Sequence, residues 1–140
     1  MPDVHPFHLA IPVDDLPANI EFYTTVLGCS TGRSSDHWMD LNFFGHQLVL
    51  HLDEQPKKEN VKNPVDGKSV PIPHFGVVLP WEEFTELENR LKAAKVSFII
   101  EPYIRFEGQV GEQKTMFFLD PAANAIEFKT FRDMNQLFAH

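Results

Sequence analysis

Phe7-His8-Leu9-Ala10-Ile11-Pro12-Val13 and Pro73-His74-Phe75-Gly76-Val77-Val78-Leu79 are two versions of one strand, with their histidines in register. Both are apolar, β-rich and followed by helix-start signals. After the first, Asp14-Asp15-Leu16-Pro17 places acids and a proline where a helix begins, and Ile20, Tyr23 and Leu27 recur at helical spacing. Tyr23 reads as core, and Gly28 can close the helix in a left-handed conformation. After the second, Phe84, Leu87 and Leu91 repeat the stripe between Trp81 and about Ala94, with Lys95 where a closing glycine is expected. Three strands follow each helix: near Cys29–Ser34, His37–Phe43 and His46–Leu52 in the first half, and near Ser97–Glu101, Lys114–Leu119 and Ala125–Phe131 in the second. The expected fold class is therefore α+β, built from paired βαβββ modules whose mixed sheets form a cupped, partly open barrel-like surface.

The modules span about 5–53 and 73–132. The intervening 54–72 is polar, holds Pro56, Pro64 and Pro71, and reads as a connector. Because roughly 50–60 residues are marginal for independent folding, the 140-residue chain is expected to be one domain. Arg132 to His140 has the makings of a short helical turn.

Composition narrows the function. A 43% hydrophobic content with 13 Phe supplies an aromatic core without help from disulfides. Twelve basic against twenty acidic residues leave a net charge of −8, and the densest basic spot, Lys57-Lys58, is followed at once by Glu59. Binding to nucleic acid or an anionic membrane needs clustered Lys and Arg, so neither is expected. The single Cys29 excludes an internal disulfide. No signal-like start or membrane-length apolar run is present, and a cytoplasmic protein is expected.

Alternate strand residues face opposite sides. Phe7, Leu9, Ile11 and Val13 then turn towards the helix, leaving His8, Ala10 and Pro12 on the other face. In the repeat His74, Gly76 and Val78 take that face, and the small Ala10 and Gly76 leave room beside each histidine. Glu127 lies opposite the apolar Ile126 and Phe128, and a carboxylate in a strand built for burial needs a compensating charge. His51 lies opposite Leu48, Leu50 and Leu52. It follows His8 by 43 residues, as Glu127 follows His74 by 53, and a longer second-module loop around 104–113 accounts for the difference. His51 and Glu127 are thus expected to be repeat-equivalents. Pairing the modules gathers His8, His51, His74 and Glu127 at one centre. Two imidazoles and a carboxylate suit Fe(II), Mn(II), Co(II), Ni(II) or Zn(II). His5, His37, His46 and His140 read as surface residues.

At these residues the chain resembles the vicinal oxygen chelate superfamily, which includes glyoxalase I, extradiol dioxygenases, fosfomycin-resistance enzymes and bleomycin-binding proteins. The resemblance runs from about Phe7 to Phe131. It rests on the two histidine strands, on Glu21-Phe22-Tyr23-Thr24-Thr25-Val26-Leu27-Gly28, and on Phe117-Phe118-Leu119-Asp120-Pro121-Ala122-Ala123-Asn124-Ala125-Ile126-Glu127. It implies His8, His74 and Glu127 as metal ligands, with Fe(II) favoured over Mn, Zn, Ni or Co. It also implies a small-molecule substrate with vicinal oxygens and a homodimer, the modules pairing within one chain or between chains. In glyoxalase I the place matched to His51 is a fourth, carboxylate ligand; the histidine here turns the expectation to an extradiol-dioxygenase-like oxidoreductase. His51 then serves as an acid–base, Tyr103 as donor to a developing oxyanion, and Arg105 as receptor of a substrate carboxylate, the last two on a loop 101–106. A glyoxalase-type lyase or isomerase and a drug-sequestering binding protein are the alternatives. Ala123 replaces the glycine of the family's Asp-Pro-x-Gly-Asn turn, and Asn124 is expected to take the left-handed conformation instead.

Overall fold

The computed structural model describes residues 4–55 and 61–140. The basic spot at Lys57-Lys58 lies outside them. The chain divides into two compact units, one of residues 1–58 with 120–124, the other of residues 59–119 with 125–140.

The first unit runs β1 (His8–Val13), α1 (Leu16–Glu21), β2 (Ser30–Ser34), β3 (Trp38–Phe43) and β4 (His46–Leu52). Its sheet has the order β1-β4-β3-β2, with β1 parallel to β4 and the other pairs antiparallel. The Asp15 side chain caps α1 by accepting from the Ala18 amide at 3.0 Å, which satisfies one of the helix's orphan donors. The helix continues as a π-helical turn over Phe22–Val26, beside a Thr24 hydroxyl that donates back to the Ile20 carbonyl at 2.7 Å. Gly28, at φ 80°, ends it as expected. Ile11, Val13, Tyr23, Leu27, Leu41, Leu48 and Leu50 form its core.

The turn 120–124 belongs to this unit, and Asp120 organises it. Its buried carboxylate accepts from the amides of Ala122 (2.9 Å) and Asn124 (2.8 Å) and from Asn124 Nδ2 (2.9 Å). The Tyr23 hydroxyl donates to it at 2.7 Å. The left-handed residue is Ala123, at φ 66°, and not Asn124. Asn124 works through its side chain instead, with Nδ2 also donating to the Pro12 carbonyl at 2.9 Å.

The second unit opens with a feature that sequence read as a connector: a two-stranded hairpin, β5 (Val61–Val65) and β6 (Lys68–Ile72). Asp66 and Gly67 turn it with φ of 50° and 75°, the positive pair that two-residue hairpin loops demand. Pro64 and Pro71 are tolerated because, among the described residues, each strand has a single neighbour. There follow β7 (His74–Phe75), α2 (Trp81–Ala93), β8 (Phe98–Arg105), β9 (Gln113–Leu119) and β10 (Ala125–Phe131). This sheet has the order β7-β10-β9-β8, again with its first pair parallel, and a Val78–Lys129 bridge extends that pair. Phe84, Leu87 and Leu91 of α2 are buried, as are Met116, Phe118, Ile126 and Phe128. Lys95 closes α2 in the left-handed region at φ 59°. A 3-10 turn at Met134–Gln136, capped by Asp133, is the last element.

Both units thus carry the expected βαβββ order in an α+β fold, and each sheet is open rather than a closed barrel. β8 extends past Glu101 to Arg105, so Tyr103 and Arg105 stand on a strand and not on a loop.

Candidate metal centre

Parallel pairing sets Ala125 opposite His74, so Glu127 rises two residues along β10, on the side that Phe117 and Thr115 of β9 share. His74 Nε2 lies 3.2 Å from Glu127 Oε1. The other ring nitrogen, Nδ1, lies 2.7 Å from the Pro71 carbonyl oxygen. A carbonyl only accepts, so Nδ1 carries the proton. The Phe117 ring stands edge-on to the imidazole, its centroid 5.0 Å away. The Thr115 hydroxyl donates to Glu127 Oε2. Burial raises the Glu127 pKa, but bonds from His74 and Thr115 outweigh it and hold the carboxyl below its usual range. The bond that His74 donates to Glu127 in turn raises the His74 pKa, against the effect of burial.

This pair fits a cation. With Nδ1 protonated, neutral His74 turns the Nε2 lone pair towards an acceptor oxygen, and two acceptors face each other comfortably only with positive charge between them. A proton meets that need, and so does a divalent ion. Two donors about 2.1 Å from a metal and at right angles to one another stand about 3.0 Å apart, close to the observed separation.

His8, in the first unit, is exposed and prepared in the same way. Its Nδ1 lies 2.8 Å from Gln47 Oε1, while Gln47 Nε2 reaches Asp40 Oδ2 at 3.4 Å. The Asp40 carboxylate selects the amide nitrogen, which turns the Gln47 oxygen to the imidazole and assigns the proton to Nδ1. Nε2 is left as the basic atom. Neither Gln47 nor Thr115 is among the residues the sequence analysis names as functional. Strand parity puts Thr115 on the face of Glu127, whereas nothing local marks Gln47.

The registers correct one expectation. His8 stands opposite Gln47 as His74 stands opposite Ala125, so the counterpart of Glu127 is Val49, which is buried. His51 stands opposite Pro12, the place that Lys129 takes opposite Val78. It lies on the expected face, one strand repeat further on, and is exposed. A second expectation also changes. Gly76 does not leave room for a ligand: a Cβ there would lie 1.4 Å from the Glu127 carbonyl oxygen, so its smallness lets β10 approach. Among the described residues, no three His, Cys, Asp or Glu side chains are gathered as a metal site.

Tyr103 and Arg105 share the face of Thr115 and converge on the hairpin. Asp66 Oδ2 accepts from the Tyr103 hydroxyl at 3.0 Å and lies 2.5 Å from Arg105 Nε. Burial, and after it Asp66, raises the Tyr103 pKa.

A model of the Glyoxalase/Bleomycin resistance protein/Dioxygenase superfamily matches residues 5–128. A glyoxalase/bleomycin resistance protein/dioxygenase from Alicyclobacillus acidocaldarius is 35% identical over 96% of both chains, with a TM-score of 0.79. The fosfomycin resistance protein FosX from Listeria monocytogenes shares the fold at 16% identity, over 96% of this chain and 99% of its own, with a TM-score of 0.72. Lactoylglutathione lyase from Agrobacterium tumefaciens does so at 17% identity over the whole of both chains, with a TM-score of 0.64. No curated protein matches the chain. No helix among the described residues is long and apolar enough to cross a membrane. With its family model covering most of its length and a solved relative at 35% identity, this chain belongs to the glyoxalase/bleomycin resistance/dioxygenase superfamily, the vicinal oxygen chelate group.

Proposed function

We propose that the protein is a metal-dependent, extradiol-dioxygenase-like oxidoreductase acting on a small molecule with vicinal oxygens. His8, His74 and Glu127 are its ligands, and residues 1–140 act as one domain in a homodimer. The observation that carries this reading is Val49. An apolar residue at the counterpart of Glu127 leaves two imidazoles and one carboxylate, the donor set of non-haem Fe(II) oxygenases, and removes the fourth carboxylate that a glyoxalase-type centre uses. An ion held this way supplies open positions for two substrate oxygens and, when it is iron, the redox chemistry of oxygen insertion.

The chain's own residues prepare the site. Pro71 and Gln47 fix the tautomers of His74 and His8 so that each presents Nε2. Thr115 holds the second oxygen of Glu127 and so orients the first. Phe117 supplies an apolar wall beside the imidazole. His51 is assigned proton exchange with the substrate, Tyr103 donation to a developing oxyanion, and Arg105 the substrate's anionic end.

Metal analysis by mass spectrometry, on protein purified without chelator, tests the centre. About one iron per wild-type chain, lost in His74→Ala, together with oxygen uptake on a catechol panel, is the expected result. No metal after reconstitution would overturn the enzyme reading. Zinc or nickel with turnover of a hemithioacetal would replace the dioxygenase by a lyase.

A further inference from the structure

Among the described residues, the hairpin β5–β6 pairs with no other strand. An isolated two-stranded hairpin is marginal in water, so side chains must hold it in place. Two contacts do so within the second unit. At its base Val70 packs with Ile100, Phe117 and Tyr103. At its tip Asp66 meets Tyr103 and Arg105. The tip contact is chemically unusual for a fastening. One carboxylate oxygen takes both the Tyr103 hydroxyl and the Arg105 charge, and the buried Arg105 Nε–H is not directed along a hydrogen bond to it. Lys68 adds a second cation, its Nζ 4.7 Å above the Tyr103 ring. Arg105 and the Tyr103 hydroxyl thus converge on one carboxylate oxygen, with the Lys68 cation over the Tyr103 ring beside them, in a protein of net charge −8. The cluster also adjoins the candidate centre. Tyr103 stands opposite Thr115, whose hydroxyl bonds Glu127, and Val70 packs on Phe117, which flanks His74.

We propose that Arg105, Tyr103 and Lys68 form an oxyanion subsite, and that the Asp66 carboxylate of the hairpin tip fills it until a substrate's own anionic group takes its place. The substrate class is then a small molecule bearing a carboxylate or phosphate-type group, which deepens the reading of the site given above. Exchange of one oxyanion for another breaks the tip contact while the Val70 contact stays, so ligand binding releases residues 62–67 and leaves the base docked.

The subsite is tested without turnover, using acetate and inorganic phosphate as probes on protein as purified and again after chelation. Binding is followed at the Arg105 Nε–Hε resonance, against chloride at equal ionic strength. Asp66→Asn keeps the shape and removes the competing charge. It is expected to tighten probe binding about tenfold, the scale of one hydrogen bond to a charged group, and Arg105→Gln is expected to abolish it. Preference for acetate or for phosphate identifies the anion's source. In the wild type, the saturating probe is expected to speed amide exchange across 62–67. Equal affinity in Asp66→Asn, unchanged binding in Arg105→Gln, or a hairpin that exchanges more slowly with the probe would each overturn the proposal. Binding that survives chelation shows the subsite to be independent of the metal reading, and binding lost on chelation overturns it.

Discussion

The Tyr23 hydroxyl and the Asp120 carboxylate, 97 residues apart in sequence, are 2.7 Å apart in a fully buried setting. Burial pushes the Asp120 pKa up, and its bonds from Asn124, Tyr23 and Ala122 only partly restrain it. Tyr23→Phe removes a donor from a buried carboxylate and is expected to cost about 1–3 kcal/mol in urea denaturation at neutral pH. A carboxyl whose folded pKa is raised loses stability as pH climbs from its ordinary 3.8 through the folded value. The variant should raise that pKa further, so its deficit should shrink in acid, where the protonated group needs fewer donors.

Thr115→Val leaves Glu127 Oε2 without its hydroxyl partner. Outer-shell partners of this kind are worth about 10–100-fold in metal affinity. Competition with a chromophoric chelator is expected to show weakening of that order, with the far-ultraviolet spectrum unchanged. Gln47→Leu should do the same through His8. Unchanged affinity in both would count against this ligand set.

Ala123 and Lys95 hold φ of 66° and 59°, where a Cβ crowds the following carbonyl. Glycine relieves that crowding at some cost in unfolded-chain entropy. Ala123→Gly and Lys95→Gly are each expected to stabilise the protein by about 0.5–1 kcal/mol, seen as a raised melting temperature. A fall in melting temperature would show that the side chains matter more than the backbone.

Glu88, nearly buried on α2, lies 2.6 Å from Lys114 and 2.7 Å from Lys92. Burial raises its pKa, but the two lysines outweigh it and the net shift is downward. A carboxyl with a lowered folded pKa stabilises the protein above its ordinary 4.5 and loses that contribution as pH falls through the folded value. Glu88→Gln is therefore expected to cost about 1–3 kcal/mol at pH 7, and its stability curve should converge with the wild type in acid. Most of the effect belongs to Lys114, since the exposed Lys92 is screened by solvent.

Gly76→Ala drives a methyl into the Glu127 carbonyl oxygen, a backbone atom that cannot step aside while β7 and β10 remain paired. A loss of about 3 kcal/mol or more is expected, read as low soluble yield or a shifted denaturation midpoint. Wild-type stability in this variant would mean that the strands tolerate a wider separation.

Local features are legible in the sequence: two βαβββ modules in order, the helix stops at Gly28 and Lys95, and the faces on which His8, His51, His74 and Glu127 stand. Alternation of period two and helical stripes are written into neighbouring residues, and Ile126 and Phe128, both fully buried around Glu127, bear out that reading. Register was decided only by the tertiary structure. A slip of two residues leaves every side chain on the same face, so hydropathy cannot tell Val49 from His51 as the counterpart of Glu127. The hairpin was hidden for a related reason. Its place depends on Val70 meeting Phe117, and on Asp66 meeting Arg105, contacts between residues about 40 or more positions apart. Gly76 likewise owes its identity to Glu127, on a strand far along the chain. Such constraints are set by which segments pair and how closely they approach, and no periodicity within either segment records them.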